Sequence, residues 1–443
     1  MAAAPSSGLP LEGVRVLAQA IVWAGPFGSM ILADLGAEVI EVESIRHLNP
    51  TRTFYRHISP LQREGNTGAG IANRDTSEGF WNRYTFFNYS KRAHKSVTLD
   101  LHSERGHELF LDLVRHSDAF IENNAEGVVA SLGIDWPTLS GVNPQLIMIR
   151  FPGFGLSGPY RDFKGFGAAM EALAGHTAIR GYRDADPSQT PPTYHADPNA
   201  GAHMAFALQT ALYQRERTGE GRLVELSQSE AVMHHVSHAW MDHELNGRLQ
   251  PHWGNRHPSM APYGIFPAAE EPGVEHELQS YVALAVPGDR AWAALCEAMG
   301  EPELASEERY ADVVSRYRNQ DELEPRIEAW TRQHTARELM LLLQGAGVPA
   351  AMVNRQTLMH GDSQLQARGF FEPITHPEAG THLYPGPLAR FSEQPLSPVR
   401  GPAPTLGQHN HELLCGLLGL SEAEYERLEA DGVIGTVYTE DAT

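Results

Sequence analysis

The segment Thr193-Tyr-His-Ala-Asp-Pro-Asn-Ala-Gly201 sets one carboxylate, Asp197, directly before a proline. The chain then runs to Tyr213 without a further Asp, Glu, Lys or Arg. Proline at the first helical position loses no hydrogen bond and pre-sets φ, so Asp197 reads as a helix start. The residues that follow, among them Met204, Phe206, Leu208 and Leu212, are apolar nearly all round, which predicts a buried helix. Arg215, Arg217 and Gly219 mark its end. A carboxylate at the positive end of such a helix is favoured in its ionised form. Two roles suit it: a cap that accepts backbone N–H bonds, or a nucleophile already deprotonated for attack on a carbonyl. Taken alone, the segment leaves both open.

Other constellations carry less chemistry. Trp23-Ala-Gly-Pro-Phe-Gly28 follows a first strand and Glu43 ends a second, as in a dinucleotide site, but G-x-G-x-x-G is missing. That turn keeps free amides at a helix start, suited to a phosphate or another polar group. His234, His238 and Asp242 stand four apart and imitate a metal site. With 22 histidines in the chain and no H-E-x-x-H, solvated or core histidines account for them. Gly155-Leu-Ser-Gly-Pro159 has proline where a nucleophile elbow needs glycine. Lys91, Arg92 and Lys95 form a basic cluster that is either a solvated face or a phosphate contact. Cys296 and Cys415 can form no disulfide framework and lack metal-ligand spacing, so no metal is expected.

The elements that must position Asp197 follow from hydrophobic periodicity. Strands are expected at 13–17, 38–43, 95–101, 119–122, 145–150 and 222–226, alternating with helices at 24–35, 103–116, 163–174 and from 197. That rhythm predicts an α/β fold, a doubly wound, Rossmann-like parallel sheet with helices on both faces. Residues 44–86 read as a long polar connection of the kind that forms lids or binding loops. One helix is expected over 228–246. Beyond it come a strand at 278–286, a helix at 289–299, two helices within 321–344 and a strand at 349–353, the pattern of a smaller α+β domain. The expected organisation is a large domain over 1–230, a small domain over 235–365, and a segment over 366–443 that returns to the large one. Pro-rich punctuation spans 385–404, and a last helix 421–428.

A net charge of −21 argues against nucleic acid or an anionic membrane as a general partner. The chain has no apolar run of spanning length and no secretory-type N-terminus, so a cytoplasmic enzyme is expected.

Several segments together resemble one family, the class III CoA-transferases, which also holds α-methylacyl-CoA racemase. They are Leu11-Glu-Gly-Val-Arg-Val-Leu17, Ala24-Gly-Pro26, Leu32-Ala-Asp-Leu-Gly-Ala-Glu-Val-Ile-Glu-Val-Glu43, Lys95-Ser-Val-Thr-Leu-Asp-Leu101, Ile121-Glu-Asn123, Gly153-Phe-Gly155, Ser157-Gly-Pro-Tyr160 and Arg217-Thr-Gly-Glu-Gly221. The resemblance implies that Asp197 attacks an acyl-CoA thioester, and that CoA then moves to a carboxylic acid through aspartyl anhydride and aspartyl-CoA thioester intermediates. It implies no tightly bound cofactor, only the CoA thioester as substrate. It sets CoA against the first strand–helix turn, making Val22, Trp23 and Ala24 contact candidates. Asn123, Lys164, Arg52 and Lys95 are candidates by the same similarity. It also implies an interlocked homodimer.

The chain departs from the family pattern at Ser44, Asn124 and Ser131, which stand for an arginine, an aromatic residue and a basic residue. Gly165-Phe-Gly167 replaces the histidine-bearing segment of racemases, which argues against 1,1-proton transfer. Two alternatives stand beside CoA transfer: an acyl-CoA racemase, isomerase or lyase using Asp197 as acid/base, and an inactive CoA-binding homologue. The aromatics Trp23, Trp81, Phe86, Phe154 and Phe166 are expected near the site and suggest a bulky or apolar acyl group.

Overall fold

The computed structural model describes residues 8–271, 279–392 and 400–443. The chain divides into two compact units: residues up to His176 with Pro192–Trp240 and Gln366–Thr443, and Thr177–Pro191 with Met241–Leu365. Unlike the boundaries read from sequence, Thr177–Pro191 joins the second unit. It is tied there by a His252 Nε2 contact with the Ala178 carbonyl (2.8 Å) and a Gly254 N–H bond to the Gly181 carbonyl (2.9 Å).

The first unit opens with β1 (Arg15–Gln19), α1 (Ala24–Asp34) and β2 (Glu38–Glu43). It continues through α2 (Thr85–Ser90), β3 (Lys95–Thr98), α3 (Glu104–Arg115), β4 (Ala119–Glu122), β5 (Ile147–Arg150), α4 (Gly167–Leu173), α5 (Ala196–Thr218) and β6 (Arg222–Glu225). The six strands form one parallel sheet in the order β3-β2-β1-β4-β5-β6. The central strands read as unbroken apolar runs because helices cover both faces. Alternate residues therefore feed two cores. Leu17, Ile40, Phe120 and Met148 pack on α3 residues Leu109, Phe110 and Leu113 and on tail residues Leu413, Leu414 and Leu428. Val16, Val39, Ile121 and Ile149 pack on α1 and α5 through Leu32, Met204 and Leu208.

Helices α1 and α5 touch backbone to backbone at two glycines. A Cβ at Gly28 would lie 2.6 Å from the Gly201 carbonyl oxygen, and one at Gly201 would lie 2.9 Å from the Gly28 nitrogen. Only glycine permits that approach. It sets the N-terminus of α5 beside the N-terminus of α1, above the point where the strand order reverses between β1 and β4. In open α/β sheets ligands bind at such a switch point, outside the carboxyl ends of the strands.

Several expectations need correction. α5 is not buried all round: Ala200, Met204, Leu208 and Ala211 are buried on one face, while Phe206 and Tyr213 are 70% and 62% exposed. The 228–246 helix is broken, with Gln228–Met233 and Ser237–Asn246 joined by a 3-10 turn at His234–Val236. α4 starts at Gly167 rather than 163. Residues 44–86 are no loose connection, because Ile45, Ile71, Phe80 and Trp81 pack with tail residues Leu406 and Tyr438. Trp81 thus sits edge-on to Tyr438 (5.3 Å between rings) in that separate cluster.

The second unit holds β7 (Tyr263–Ala268), β8 (Ser280–Ala285), α6 (Asp289–Ala298), α7 (Gln320–Thr331), α8 (Ala336–Gly345) and β9 (Ala350–Met352). Its three strands are antiparallel in the order β7-β8-β9, over a core that includes Trp292, Leu295, Ile327 and Leu343. The expected strand start at Leu278 lies outside the described residues. In the first unit the tail adds a hairpin, β10 (Phe371–His376) with β11 (Gly380–Pro385), and then α9 (Glu422–Ala430). Residues 393–399 of the Pro-rich stretch also lie outside the described residues.

Candidate active site

Asp197 is the second residue of α5, not its cap. The helix starts at Ala196, the cap position falls on His195, and no side chain caps it. Pro198 is harmless there, since first-turn N–H groups have no intrahelical partner. The carboxylate is therefore not spent on capping. It is 6% exposed and faces the backbone N–H of Ala24, the first residue of α1, and its own N–H, both of which favour its ionised form. At Gly167, the first residue of α4, a Cβ would overlap Asp197 Oδ2, so any side chain there would push the carboxylate from its present place.

Burial pushes the Asp197 carboxyl up to about 6. The Ala24 N–H opposes that shift, and the nearby carboxylate of Glu171 adds to it. The expected helix-end stabilisation of the ionised form is thus outweighed by desolvation. The group is still mostly ionised at neutral pH, with no full positive charge bonded to it among the described residues.

The turn that presents Ala24 is braced from three sides. Val22 has φ 65°, a left-handed conformation rare for a β-branched residue. The Asn123 side chain locks the preceding residue: Oδ1 accepts the Ile21 N–H (2.8 Å) and Nδ2 donates to the Ile21 carbonyl (3.0 Å). Lys91 Nζ donates to the Ala20 carbonyl (3.2 Å) and pairs with Glu41 (2.6 Å). Trp23 meets Phe86 of α2 edge-on at 5.6 Å, and its indole N–H has no acceptor among the described residues.

Beside this turn, at the carboxyl edge of the sheet, lies a cleft of about 390 Å³. Gln19, Ile21, Glu43, His47, Leu99 and Asn124 are among its lining residues. The remaining cationic candidates stand apart from it. Arg52 is fully buried, bonded in bidentate fashion to Glu43 (2.7 and 2.9 Å), to Asn82 (3.0 Å) and to the Pro404 carbonyl (3.1 Å). It also stacks on Phe87 at 3.6 Å. Lys95 opens β3 at the amino edge, the opposite end of the sheet from the cleft, and pairs with Glu38 and Glu412. Lys164 is exposed in the loop leading to α4. His234 and His238 are exposed as well, and Phe154 contacts Phe163 (6.1 Å) near the exposed Phe166.

Sequence reasoning brought Asp197, Val22, Trp23, Ala24 and Asn123 to one place, and the structure gathers them. It singled out Gly165-Phe-Gly167 only as the place of a missing base, not as the wall of Asp197, and it missed Glu171. The available signal was a lone carboxylate in the otherwise small and apolar stretch Gly167-Ala-Ala-Met-Glu-Ala-Leu173.

The model of CoA-transferase family III matches residues 11–410. The chain belongs to that family. This family III enzyme is 34% identical over 425 residues to succinyl-CoA–D-citramalate CoA-transferase of Chloroflexus aurantiacus, covering 96% of this chain and 98% of that protein. It is 31% identical over 416 residues to succinate–glutarate CoA-transferase of Agrobacterium fabrum, covering 93% and 97%. Among solved structures, a CAIB/BAIF family protein from Brucella suis superposes with a TM-score of 0.78 at 28% identity, over 92% of this chain and 99% of that one. The enzyme is a CoA-transferase by this kinship. No helix among its described residues is long and apolar enough to cross a membrane.

Proposed function

We propose that this transferase moves CoA from an acyl-CoA to a carboxylic acid through covalent intermediates on Asp197. One Asp197 oxygen attacks the thioester carbonyl; the C–S bond breaks, CoA leaves as thiolate, and a mixed anhydride remains. The thiolate then attacks the aspartyl carbonyl of that anhydride, expelling the donor's carboxylate and leaving an aspartyl-CoA thioester. The acceptor carboxylate attacks that thioester to give a second anhydride and thiolate. Attack of the thiolate on the acceptor acyl carbon then yields the new acyl-CoA and restores Asp197.

The observation that carries this reading is a buried, uncapped carboxylate at the start of α5, facing the backbone N–H of Ala24 in the same turn whose Ile21 lines the switch-point cleft. Amides fixed in a low-dielectric site stabilise developing oxyanions without reorganising. The pantetheine arm would pass the Val22–Ala24 turn held by Asn123, and Lys164 would meet the CoA phosphates from its loop. Arg52 and Lys95 we assign to the fold's ion pairs. The names of the relatives support succinyl-CoA as the first donor to try, ahead of a bulky apolar thioester. Gly167 places no side chain of its own against Asp197, and the nearby Glu171 carboxylate is taken up by the Thr193 and His195 donors, which disfavours racemisation. The working unit is proposed to be the interlocked homodimer, sedimenting at twice the chain mass, in the cytoplasm.

The test is a screen of acyl-CoA thioesters against carboxylic acids by mass spectrometry, with wild type and D197N in parallel. Asn keeps the volume and one acceptor for the Ala24 N–H. Loss of exchange by about 10⁴-fold or more is expected for a missing nucleophile. Exchange at the wild-type rate by D197N removes the mechanism.

A further inference from the structure

α4 carries one charged residue, Glu171, and its side chain is wholly buried. A carboxylate removed from water costs several kcal/mol unless its oxygens are saturated with donors. Here the donors come from the strap that enters α5. Oε2 accepts the Thr193 N–H (3.1 Å), while Oε1 accepts the Thr193 hydroxyl (2.8 Å) and the His195 N–H (2.5 Å). These hold the Glu171 carboxyl below the usual carboxylate range against its burial.

Between the two clamped residues, Tyr194 has φ 54°, a conformation uncommon for a non-glycine residue. Strain of this kind persists only where the surroundings over-determine it, and it clusters at functional sites. The Tyr194 Cα also faces the opening residue of α4, 3.8 Å from where a Gly167 Cβ would stand. One short helix thus contributes both the glycine wall against Asp197 and the clamp on the strap two residues before it. Among the described residues, the ionisable groups that face or adjoin Glu171 include Asp197 on α5, His176 after α4, and His195 in the strap.

We infer that Glu171 is a positioning residue for the nucleophile, locking the 193–195 strap so that Asp197 enters α5 uncapped, and setting a second negative charge beside it. The inference rests on Asp197 being the nucleophile. The charge acts in the same direction as burial, keeping the Asp197 carboxyl above the ordinary carboxylate range. A more basic carboxylate is the stronger nucleophile once it is ionised.

Glu171→Gln separates this role from simple stability. The amide keeps one oxygen for the Thr193 hydroxyl and the His195 N–H. It turns an NH2 toward the Thr193 N–H and removes the charge. The expected result is kcat lower by roughly tenfold or more, as for a misplaced reacting group, with KM changed far less. The acid limb of the kcat/KM profile is expected to move to lower pH, because Asp197 loses a like charge. A limb left in place, or an unchanged kcat, overturns the inference.

If E171Q does not fold, Thr193→Val removes one donor of the clamp and keeps the charge. A several-fold loss of kcat with the acid limb in place then supports the role, and a wild-type kcat overturns it. D197N runs as the parallel control. If D197N exchanges CoA normally, the nucleophile assignment itself fails. If D197N is inactive while E171Q keeps the wild-type limb, only the role of Glu171 falls.

Discussion

Glu43 and Asp197 are both 6% exposed, yet their carboxyls shift in opposite directions. Glu43 is buried but lies against the Arg52 guanidinium, with Ser96 and Asn49 as further donors, and is held below the usual range. Asp197 is met by backbone N–H groups and has Glu171 for a neighbour, and it rises to about 6. Asp34 is clamped by Arg92 in the same kind of buried pair, and Glu41 rises to about 7 through burial despite its bond to Lys91. A buried carboxylate neutralised by a guanidinium is part of the scaffold and a poor nucleophile. One surrounded by dipoles keeps its basicity. The difference between the two regions is the difference between holding the sheet together and doing chemistry on its edge.

The sharpest way to test this comparison is to remove the cation. Arg52→Met leaves Glu43 buried and unpaired, and breaks the bonds to Asn82 and Pro404. A loss of about 3–5 kcal/mol in denaturant unfolding is expected for breaking a buried pair from one side. Adding Glu43→Gln should recover part of it, because no bare charge then remains. A silent R52M would mean that the pair carries no weight in the scaffold.

Asp197 predicts the opposite sign. Its folded-state value of about 6 lies above the ordinary aspartate value of 3.8, so the unfolded chain releases this proton first as pH rises. Across that interval the native state loses stability with increasing pH, by about 3 kcal/mol at full ionisation. D197N, which cannot ionise, should therefore be more stable than wild type at pH 8 by up to that amount, and no more stable at pH 4. Urea unfolding at the two pH values measures it. Equal stability of the two proteins at pH 8 would place Asp197 with the neutralised carboxylates.

The smallest effect belongs to the turn. Asn123→Ala removes both bonds to Ile21 and frees the strained Val22. About 1–2 kcal/mol of turn stability is at stake for two neutral hydrogen bonds. This should appear as a several-fold rise in KM for the CoA thioester, with a smaller change in melting temperature. A change in kcat alone would assign Asn123 to the chemistry rather than to the turn.

Much of this was legible in the chain. The parallel sheet announced itself because strands covered on both faces must carry apolar residues on both, as in Ile147-Met-Ile149. The end of α5 was marked by Gly219, which takes φ 74°. Ser103 capped α3 as its position suggested. What escaped depends on partners distant in sequence. The β10–β11 hairpin ends at Pro385, which opened the stretch read as Pro-rich punctuation, and it also holds Pro373; both are tolerated in a two-stranded ribbon. Residues 44–86 looked like polar surface because Arg52 and Arg83 are charged, yet both are buried against acids found only in three dimensions. Asp197 read locally as the residue just before the helix, because Asp-Pro usually stands there, with cap and nucleophile both open. The helix instead begins at Ala196, two residues before Pro198, after a strap whose Thr193 and His195 donate to Glu171, a long-range partner that local propensity does not encode.

The central claim is that Asp197 becomes acylated. The direct measurement is peptide mass spectrometry of enzyme mixed with succinyl-CoA, or with whichever thioester the screen identifies, and quenched with hydroxylamine during turnover. The account predicts a hydroxamate on Asp197 alone, formed only when the thioester is present and absent in D197N. A turning-over enzyme whose Asp197 peptide stays unmodified, with the label absent or on another residue, would contradict it.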